Sequence, residues 1–153
     1  GPYNSGAAMV SMPILNEAGL LQVSPAVTRA GLTKKGKASE PDEPEKYRPT
    51  GKNHFARVCP NDLTEGPLAA DFAKAPKDAP DEKDRGLGAT RAYILDDKEL
   101  YGLGVSGLFE ARCRELGIEV LGHESINPQQ QEFTALMTSI KAKNPDVVYF
   151  GGT

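Results

Sequence analysis

Apolar segments of strand length alternate with helix-like segments through residues 89–153, and this alternation limits the possible folds more than any other feature. The spacing predicts strands over residues 89–95, 118–121 and 147–150, and helices over residues 102–116 and 130–143. Strands that alternate with helices of this length form βαβ units, in which the strands run parallel. The sequence therefore predicts an α/β protein with a parallel sheet flanked by helices.

The first part of the chain combines the same elements with two loops of small polar residues. A helix is predicted over residues 7–18 and a strand over residues 20–23, and the loops cover residues 4–7 and 24–28. Open α/β sheets bind ligands at the carboxyl ends of their strands. Ser5 is expected to cap the helix, where free N–H groups attract a carboxylate. Thr28 adds a hydroxyl group, so the two loops suit a zwitterionic solute.

Apolar spacing also predicts which face of each helix is buried. The expected inward residues are Met9, Val10, Ile14 and Leu15 in the first helix; Leu68, Ala69 and Phe72 in a helix that follows Asp62; Val105, Leu108, Phe109 and Leu116 in the third; and Phe133, Leu136, Met137 and Ile140 in the last.

Residues 34–53 differ in composition from the rest of the chain, being rich in charge and proline and almost free of apolar side chains. Such a segment cannot offset its ordering entropy by burial, and it is expected to be a solvated, mobile insertion that contributes nothing to a core. A short strand is predicted over residues 54–59, and a second polar loop over residues 74–88.

Composition and motifs narrow the function classes. The net charge of −3 and the absence of a basic face argue against nucleic acid as the main partner. No apolar run approaches the roughly 20 residues of a membrane span. Cys59 and Cys113 fit no metal spacing and are expected to be unpaired thiols. His54 and His123 are far apart in the sequence and are expected to be surface or structural histidines, and no catalytic set can be assembled from them.

Two motifs offer alternatives that the sequence does not favour. The adjacent carboxylates Asp96 and Asp97 end a predicted strand and could hold Mg²⁺, but no third carboxylate accompanies them, and helix capping by Asp97 is the simpler interpretation. Residues 102–107 match a dinucleotide fingerprint in letters, but a bulky charged linker occupies the place of its tight first turn. We therefore expect no metal and no cofactor.

Short motifs along nearly the whole chain resemble one family. They are Gly1-Pro2-x-x-Ser5-Gly6, the PILNEAG run at 13–19, Ser24-Pro25-Ala26-x-Thr28, Leu32-Thr33, Asp97-x-x-x-Tyr101-Gly102-x-Gly104, FTAL at 133–136 and NPDVVYFGG at 144–152. Each motif is weak by itself, but the ordered set resembles the type I periplasmic binding proteins. The nearest branch is the leucine/isoleucine/valine-binding proteins of ABC importers.

The resemblance implies a fold of two Rossmann-like lobes, of which this chain would be an internal fragment that contains part of each. Residues 1–60 would belong to the amino-terminal lobe and residues 61–153 to the second, with a hinge at residues 59–62. By the same resemblance, Ser5 holds the solute's α-carboxylate, and the loop of Ala26, Val27 and Thr28 grips its carboxylate and ammonium. Tyr101 and Thr153 would contact the solute from the second lobe.

The implied function is binding without catalysis. The protein would be the solute-binding component of an ABC importer, located in the periplasm or anchored by lipid on the outer face of the cell membrane. It would take up an amino acid or amide-like solute between its lobes and deliver it to a membrane permease. A ligand-sensing receptor or regulator of the same fold is an alternative, and a Rossmann-like nucleotide-dependent enzyme is a less favoured one.

Overall fold

The computed structural model describes residues 1–36, 38–127 and 129–153, so Lys37 of the expected insertion lies outside the described residues. The helices are α1 (Ser5–Glu17), α2 (Asp62–Lys74), α3 (Leu100–Glu115) and α4 (Thr134–Ala142), and the strands are β1 (Gln22–Ser24), β2 (Phe55–Arg57), β3 (Arg91–Asp96), β4 (Glu119–Ser125) and β5 (Val147–Gly151). Short 3₁₀ turns cover Ala30–Leu32, Glu45–Tyr47 and Glu82–Asp84. Within the described ranges, no helix has the length and apolar character needed to cross a membrane.

The chain divides into two compact units, residues 1–64 and residues 65–153. The boundary expected from the sequence, between residues 60 and 61, falls inside the first of these. In the first unit β1 pairs in parallel with β2. In the second unit β3 lies between β4 and β5, and both pairings are parallel. The predicted α/β class, with parallel sheets flanked by helices, is therefore confirmed.

The central strand β3 carries the core of the second unit on both of its faces. On one face Ala92 and Ile94 pack with Ala70, Ala73 and Phe109 from the helices α2 and α3. Phe109 also stacks on Tyr149 of β5, with ring centroids 4.0 Å apart. The opposite face has a smaller cluster, in which Tyr93 and Leu95 pack with Ile140 of α4.

Helix α3 buries the face that its sequence predicts, with Val105, Leu108 and Phe109 all inside. The bounds and burial of α4 agree less well with the prediction from the sequence. The helix begins at Thr134 and not at residue 130. Of its predicted inward residues, Ile140 is buried while Met137 is 43 % exposed.

The predicted faces of α1 and α2 are wrong for their larger apolar residues, although Met9 and Ala69 pack against the cores as predicted. Val10 and Ile14 of α1 are 68 % and 63 % exposed, and its buried residues are Ser5, Ala8, Met12 and Asn16. In α2, Leu68 and Phe72 are exposed whereas Ala70 and Ala73 are buried. In α2, small side chains such as that of Ala70 allow the helix to approach its neighbours closely. At Gly66 of α2, an added Cβ would lie 2.7 Å from the carbonyl oxygen of Val105, so the helices pack where the sequence is small and not where it is most apolar.

The expectation that residues 34–53 contribute nothing to a core is also wrong. Tyr47 is 3 % exposed and packs with Ala8, Met12, Val27, Leu32 and Phe55 in the core of the first unit. The segment is attached at a second point, since Asn16 of α1 donates to the carbonyl of Lys52 and accepts from the backbone and hydroxyl of Thr50. One aromatic side chain and a few specific hydrogen bonds are enough to attach this polar segment.

Candidate functional site

The start of α1 supplies the first part of the predicted site. Asn4, and not Ser5, is the N-cap, because its side-chain oxygen accepts the N–H of Ala7 at 2.9 Å. Ser5 is the first helical residue and is 1 % exposed. Its Oγ accepts the backbone N–H of Arg29 at 3.3 Å, which joins the helix start to the loop that follows β1. The expectation that Ser5 caps the helix is therefore corrected, while its location at a positive helix end is as predicted.

The loop after β1 is held in shape by Ser24. Its hydroxyl donates to the carbonyl of Pro2 at 2.9 Å and accepts the N–H groups of Ala26 and Val27 at 3.2 and 2.9 Å. The Val27 side chain is fully buried in the core, and its carbonyl accepts from Arg57 at 3.1 Å. Val27 therefore supports the loop from beneath, and neither its side chain nor its backbone is left to contact a solute.

Thr28 is placed differently from its neighbours in this loop. Its side-chain Oγ1 and the Oδ1 of Asp62 are buried, and neither forms a hydrogen bond of normal geometry among the residues that the structure describes, but the Thr28 hydroxyl lies close enough to the Asp62 carboxylate to lower its pKa. The backbones of the two residues are joined, since the N–H of Asp62 donates to the carbonyl of Thr28 at 3.0 Å. Burial raises the pKa of Asp62, although the nearby Thr28 hydroxyl and Arg57 oppose the rise.

Arg57, at the end of β2, stabilises the same loop through hydrogen bonds from its guanidinium group. Its guanidinium donates to the carbonyls of Val27 and Arg29 at 3.1 and 3.0 Å and to the hydroxyl of Thr33 at 2.7 Å. Burial lowers the pKa of Arg57. The guanidinium therefore replaces the water that would otherwise solvate these carbonyls and fixes the backbone on both sides of Thr28.

Residues 34–53 also stabilise this loop, through an ion pair with Arg29. The buried carboxylate of Glu43 receives the Arg29 guanidinium through two bonds, Nε at 3.1 Å and Nη2 at 3.0 Å. It also accepts from the hydroxyl of Tyr47 at 2.6 Å and from the N–H of Glu40 at 2.9 Å. Burial alone would raise the pKa of Glu43, but the bonds from Tyr47, Glu40 and Arg29 outweigh it and lower the pKa.

The second unit holds Tyr101 and Thr153 beside one buried carboxylate. Asp97 is 3 % exposed and accepts the N–H groups of Glu99 and Thr153, both at 3.0 Å. Tyr101 is half-buried in the first turn of α3. It precedes Gly102, where an added Cβ would lie 2.2 Å from Asp97 Oδ1. Asp97 thus connects the segments that follow β3 and β5 through their backbone N–H groups; the expectation that it caps the helix is corrected, because the N-cap of α3 is Glu99 and no side chain caps this helix.

The neighbouring Asp96 belongs to a separate network. Its carboxylate lies 3.0 Å from His123 Nε2 and accepts the hydroxyl of Ser125 at 2.9 Å. The other ring nitrogen of His123 lies 2.8 Å from Glu110. The described residues contain no group of three or more His, Cys, Asp or Glu side chains arranged to hold a metal. His123 is a structural bridge between two carboxylates, in agreement with its predicted structural role.

Sequence reasoning predicted Ser5 and Thr28 as site residues but did not identify the residues that hold them in place. Arg29, Glu43 and Asp62 are polar residues in segments that read as loops, and their partners are distant in the sequence. One signal was available in Tyr47, the single aromatic residue in an otherwise polar segment. Such a residue is a candidate for burial, since aromatic side chains contribute large apolar areas.

Comparison with known proteins gives the family of the chain. The family model described as periplasmic binding protein matches residues 1–153. The Leu/Ile/Val-binding protein BraC3 of Rhizobium johnstonii is 32 % identical over 99 % of this chain and 35 % of its own length. The chain thus spans about a third of the length of such curated relatives.

Solved structures agree with this match. The leucine-binding protein LivK of Thermotoga maritima superposes with a TM-score of 0.70 at 26 % identity, over 97 % of this chain and 35 % of that one. A solute-binding protein of an ABC transporter from Rhodopseudomonas palustris, in complex with p-hydroxybenzoic acid, has the same fold with a TM-score of 0.72 at 22 % identity, over 98 % of this chain and 34 % of its own. The chain belongs to the periplasmic binding protein family.

Proposed function

We propose that the protein carrying this chain is the extracytoplasmic solute-binding component of an ABC importer, and that it binds an amino acid or a related small carboxylate. It would deliver this solute to a membrane permease. The coarse part of the proposal rests on membership of the family, and the choice of solute rests on the residues of the first unit.

The observation that carries the choice of solute is the buried hydroxyl of Thr28, which forms no hydrogen bond of normal geometry among the described residues although the Asp62 carboxylate lies near it. A buried polar atom without a partner costs free energy, so its presence needs an explanation. Ser5 lies at the start of α1 and is tied to the residue after Thr28. Two hydroxyl groups and the positive end of a helix form a suitable environment for a carboxylate.

The other predicted solute contacts are Ala26, Val27, Tyr101 and Thr153, and this proposal keeps three of them. The carbonyls of Val27, Thr28 and Arg29 already accept protein donors, so we propose that Ala26 offers its carbonyl to the solute ammonium. Tyr101 and Thr153 are proposed as contacts from the second unit, through the tyrosine ring and the threonine hydroxyl. Val27 is not among the contacts that we propose, since its side chain is buried in the core.

The names of related proteins support a carboxylate as the shared chemistry. BraC3 is named for leucine, isoleucine and valine, and the structure from Rhodopseudomonas palustris contains p-hydroxybenzoic acid. All of these compounds carry a carboxylate, whereas the α-ammonium group and aliphatic side chain of the amino acids are absent from p-hydroxybenzoic acid. A site that grips the carboxylate through Ser5 and Thr28 would serve for both classes.

The experiment is calorimetric titration of the full-length protein with leucine, isoleucine, valine and p-hydroxybenzoate. We expect one of these to bind, and we expect Ser5→Ala to weaken that binding by about 1–3 kcal/mol. Thr138→Ala is the matched control, because Thr138 is an exposed residue of α4 whose hydroxyl donates to a carbonyl of its own helix. Equal affinities for the wild type and Ser5→Ala would reject the carboxylate site.

A further inference from the structure

We infer that Glu43 is a positioning residue for the solute site, acting through Arg29 on the loop that carries Thr28. This inference rests on the proposed function, because it concerns the same loop. It assigns a role in binding to residues 34–53, which lie outside every family-like motif of the sequence.

The first step is the geometry of the ion pair. Glu43 is fully buried and the Arg29 side chain is 11 % exposed, so the pair is shielded from water. Two parallel bonds between a guanidinium and a carboxylate fix orientation as well as distance. The two bonds therefore hold the Arg29 side chain in one position, and they also restrain the backbone of Arg29.

The second step is the path from Arg29 to the site. The backbone of Arg29 follows Thr28 directly; its N–H donates to Ser5 Oγ at 3.3 Å and its carbonyl accepts from Arg57 at 3.0 Å. A shift of this backbone moves both proposed carboxylate-binding hydroxyl groups relative to each other. The Ser5 bond is long, so the loop depends on its other restraints.

The third step is charge. Without Glu43, the Arg29 guanidinium would keep Glu40 Oε1 at 3.9 Å as an ion-pair partner, and its position would no longer be fixed by two parallel bonds. The Glu43 carboxylate neutralises the guanidinium charge, and Tyr47 and Glu40 complete its hydrogen bonds. Loss of the carboxylate therefore changes both the position and the electrostatics of the loop.

The fourth step is the close fit between Glu43 and the chain that follows Arg29. An added Cβ at Gly31 would lie 1.9 Å from Glu43 Oε2. Only glycine allows the carboxylate to lie this close to the backbone after the loop. The ion pair is thus built into the path of the loop and is not an accessory contact on its surface.

The test compares Glu43→Gln with Glu45→Gln in the full-length protein. Glu45 is exposed in the same segment and serves as the matched control. We expect Glu43→Gln to weaken binding of the solute found in the panel by about tenfold, and Glu45→Gln to leave binding unchanged. Ser5→Ala is measured in parallel, since it reports on the proposed site independently of Glu43.

Hydrogen exchange separates positioning from a general loss of stability. The N–H groups of Arg29 and Asp62 bond to Ser5 Oγ and the Thr28 carbonyl, whereas that of Gln22 bonds to His54 in the sheet of the same unit. We expect Glu43→Gln to accelerate exchange at Arg29 and Asp62 and to leave Gln22 unchanged. Equal acceleration at all three amides, or none, would overturn the inference.

The outcomes also distinguish this inference from the proposed function. If Ser5→Ala weakens binding while Glu43→Gln does not, the positioning role is wrong and the carboxylate site stands. If the wild type binds none of the four solutes, the proposed function fails in its choice of solute. The exchange pattern then decides the positioning role alone, with local acceleration supporting it and any other pattern overturning it.

Discussion

Glu43 and Arg29 form a two-bonded ion pair, with N–O distances of 3.1 and 3.0 Å, in the interior of the first unit. The pair joins a polar segment to the loop that carries the proposed solute contacts. Buried ion pairs contribute little net stability compared with apolar side chains of similar volume. Removal of one partner leaves the other charge buried and unpaired, which costs about 3–5 kcal/mol. The pair therefore makes the first unit sensitive to single substitutions at either residue.

The pair predicts a pH dependence of stability. The pKa of Glu43 is lower in the folded protein than its ordinary value of 4.5, so its contribution is fully present above that value and is lost as the pH falls through the folded-state pKa. We expect urea unfolding to show a stability advantage of the wild type over Glu43→Gln that is constant above pH about 5 and narrows in more acidic solution. An advantage that is unchanged at low pH would contradict the ionised state of Glu43.

Gly31 gives a steric test of the same contact. An added Cβ would lie 1.9 Å from Glu43 Oε2, so Gly31→Ala must displace the carboxylate. We expect it to lower the free energy of unfolding by about 1–3 kcal/mol, the usual cost of overpacking. Gly107→Ala is the control, since an added Cβ there meets nothing within 4 Å and alanine favours the helix. A Gly31→Ala protein as stable as the wild type would show that the segment moves aside freely.

The carboxylate–histidine bridge in the second unit predicts a separate loss. His123→Phe removes one partner each from Asp96 Oδ2 and Glu110 Oε2, which lie 3.0 and 2.8 Å from the ring nitrogens, and leaves Asp96 Oδ2 with the Ser125 hydroxyl. Asp96 is 2 % exposed, so its carboxylate would keep fewer partners in a buried place. We expect a loss of about 1–3 kcal/mol in unfolding free energy, measured by denaturant unfolding. The matched control is His54→Phe, which removes one contact, at 3.2 Å to a carbonyl.

The sheets could be predicted from the sequence because their signal is local. β3 and β5 are short apolar segments whose composition and flanking glycines indicate strands without reference to a partner. The inward face of α3 was equally readable, since Val105 and Phe109 are large and spaced at one helical turn. These features need no knowledge of the tertiary structure.

The supports of the proposed site could not be predicted in this way. The buried side chain of Asn16 in α1 forms its hydrogen bonds with residues 50–52. The buried carboxylate of Glu43 accepts hydrogen bonds from Arg29 and Tyr47. Each case depends on partners distant in sequence, and a polar residue in a polar segment carries no local sign of them. Ser5 and Thr28 were found through a family resemblance as well as through their loops.

The central claim is that the buried hydroxyl of Thr28 serves a solute carboxylate and not the fold. Thr28→Val keeps the shape and removes a hydroxyl that forms no hydrogen bond of normal geometry among the described residues and lies near the Asp62 carboxylate. We therefore expect the unfolding free energy of the solute-free protein to stay the same or to rise. Thr33→Val is the contrasting control, because its hydroxyl accepts from Arg57 at 2.7 Å and should be needed for stability.

The most direct measurement is calorimetry of the full-length wild type and Thr28→Val with the solute identified in the panel and with its carboxamide analogue. The account predicts that Thr28→Val weakens binding of the carboxylate by about 1–3 kcal/mol and weakens binding of the carboxamide much less. Equal losses for the two ligands, or no loss for the carboxylate, would contradict the claim that Thr28 recognises a carboxylate.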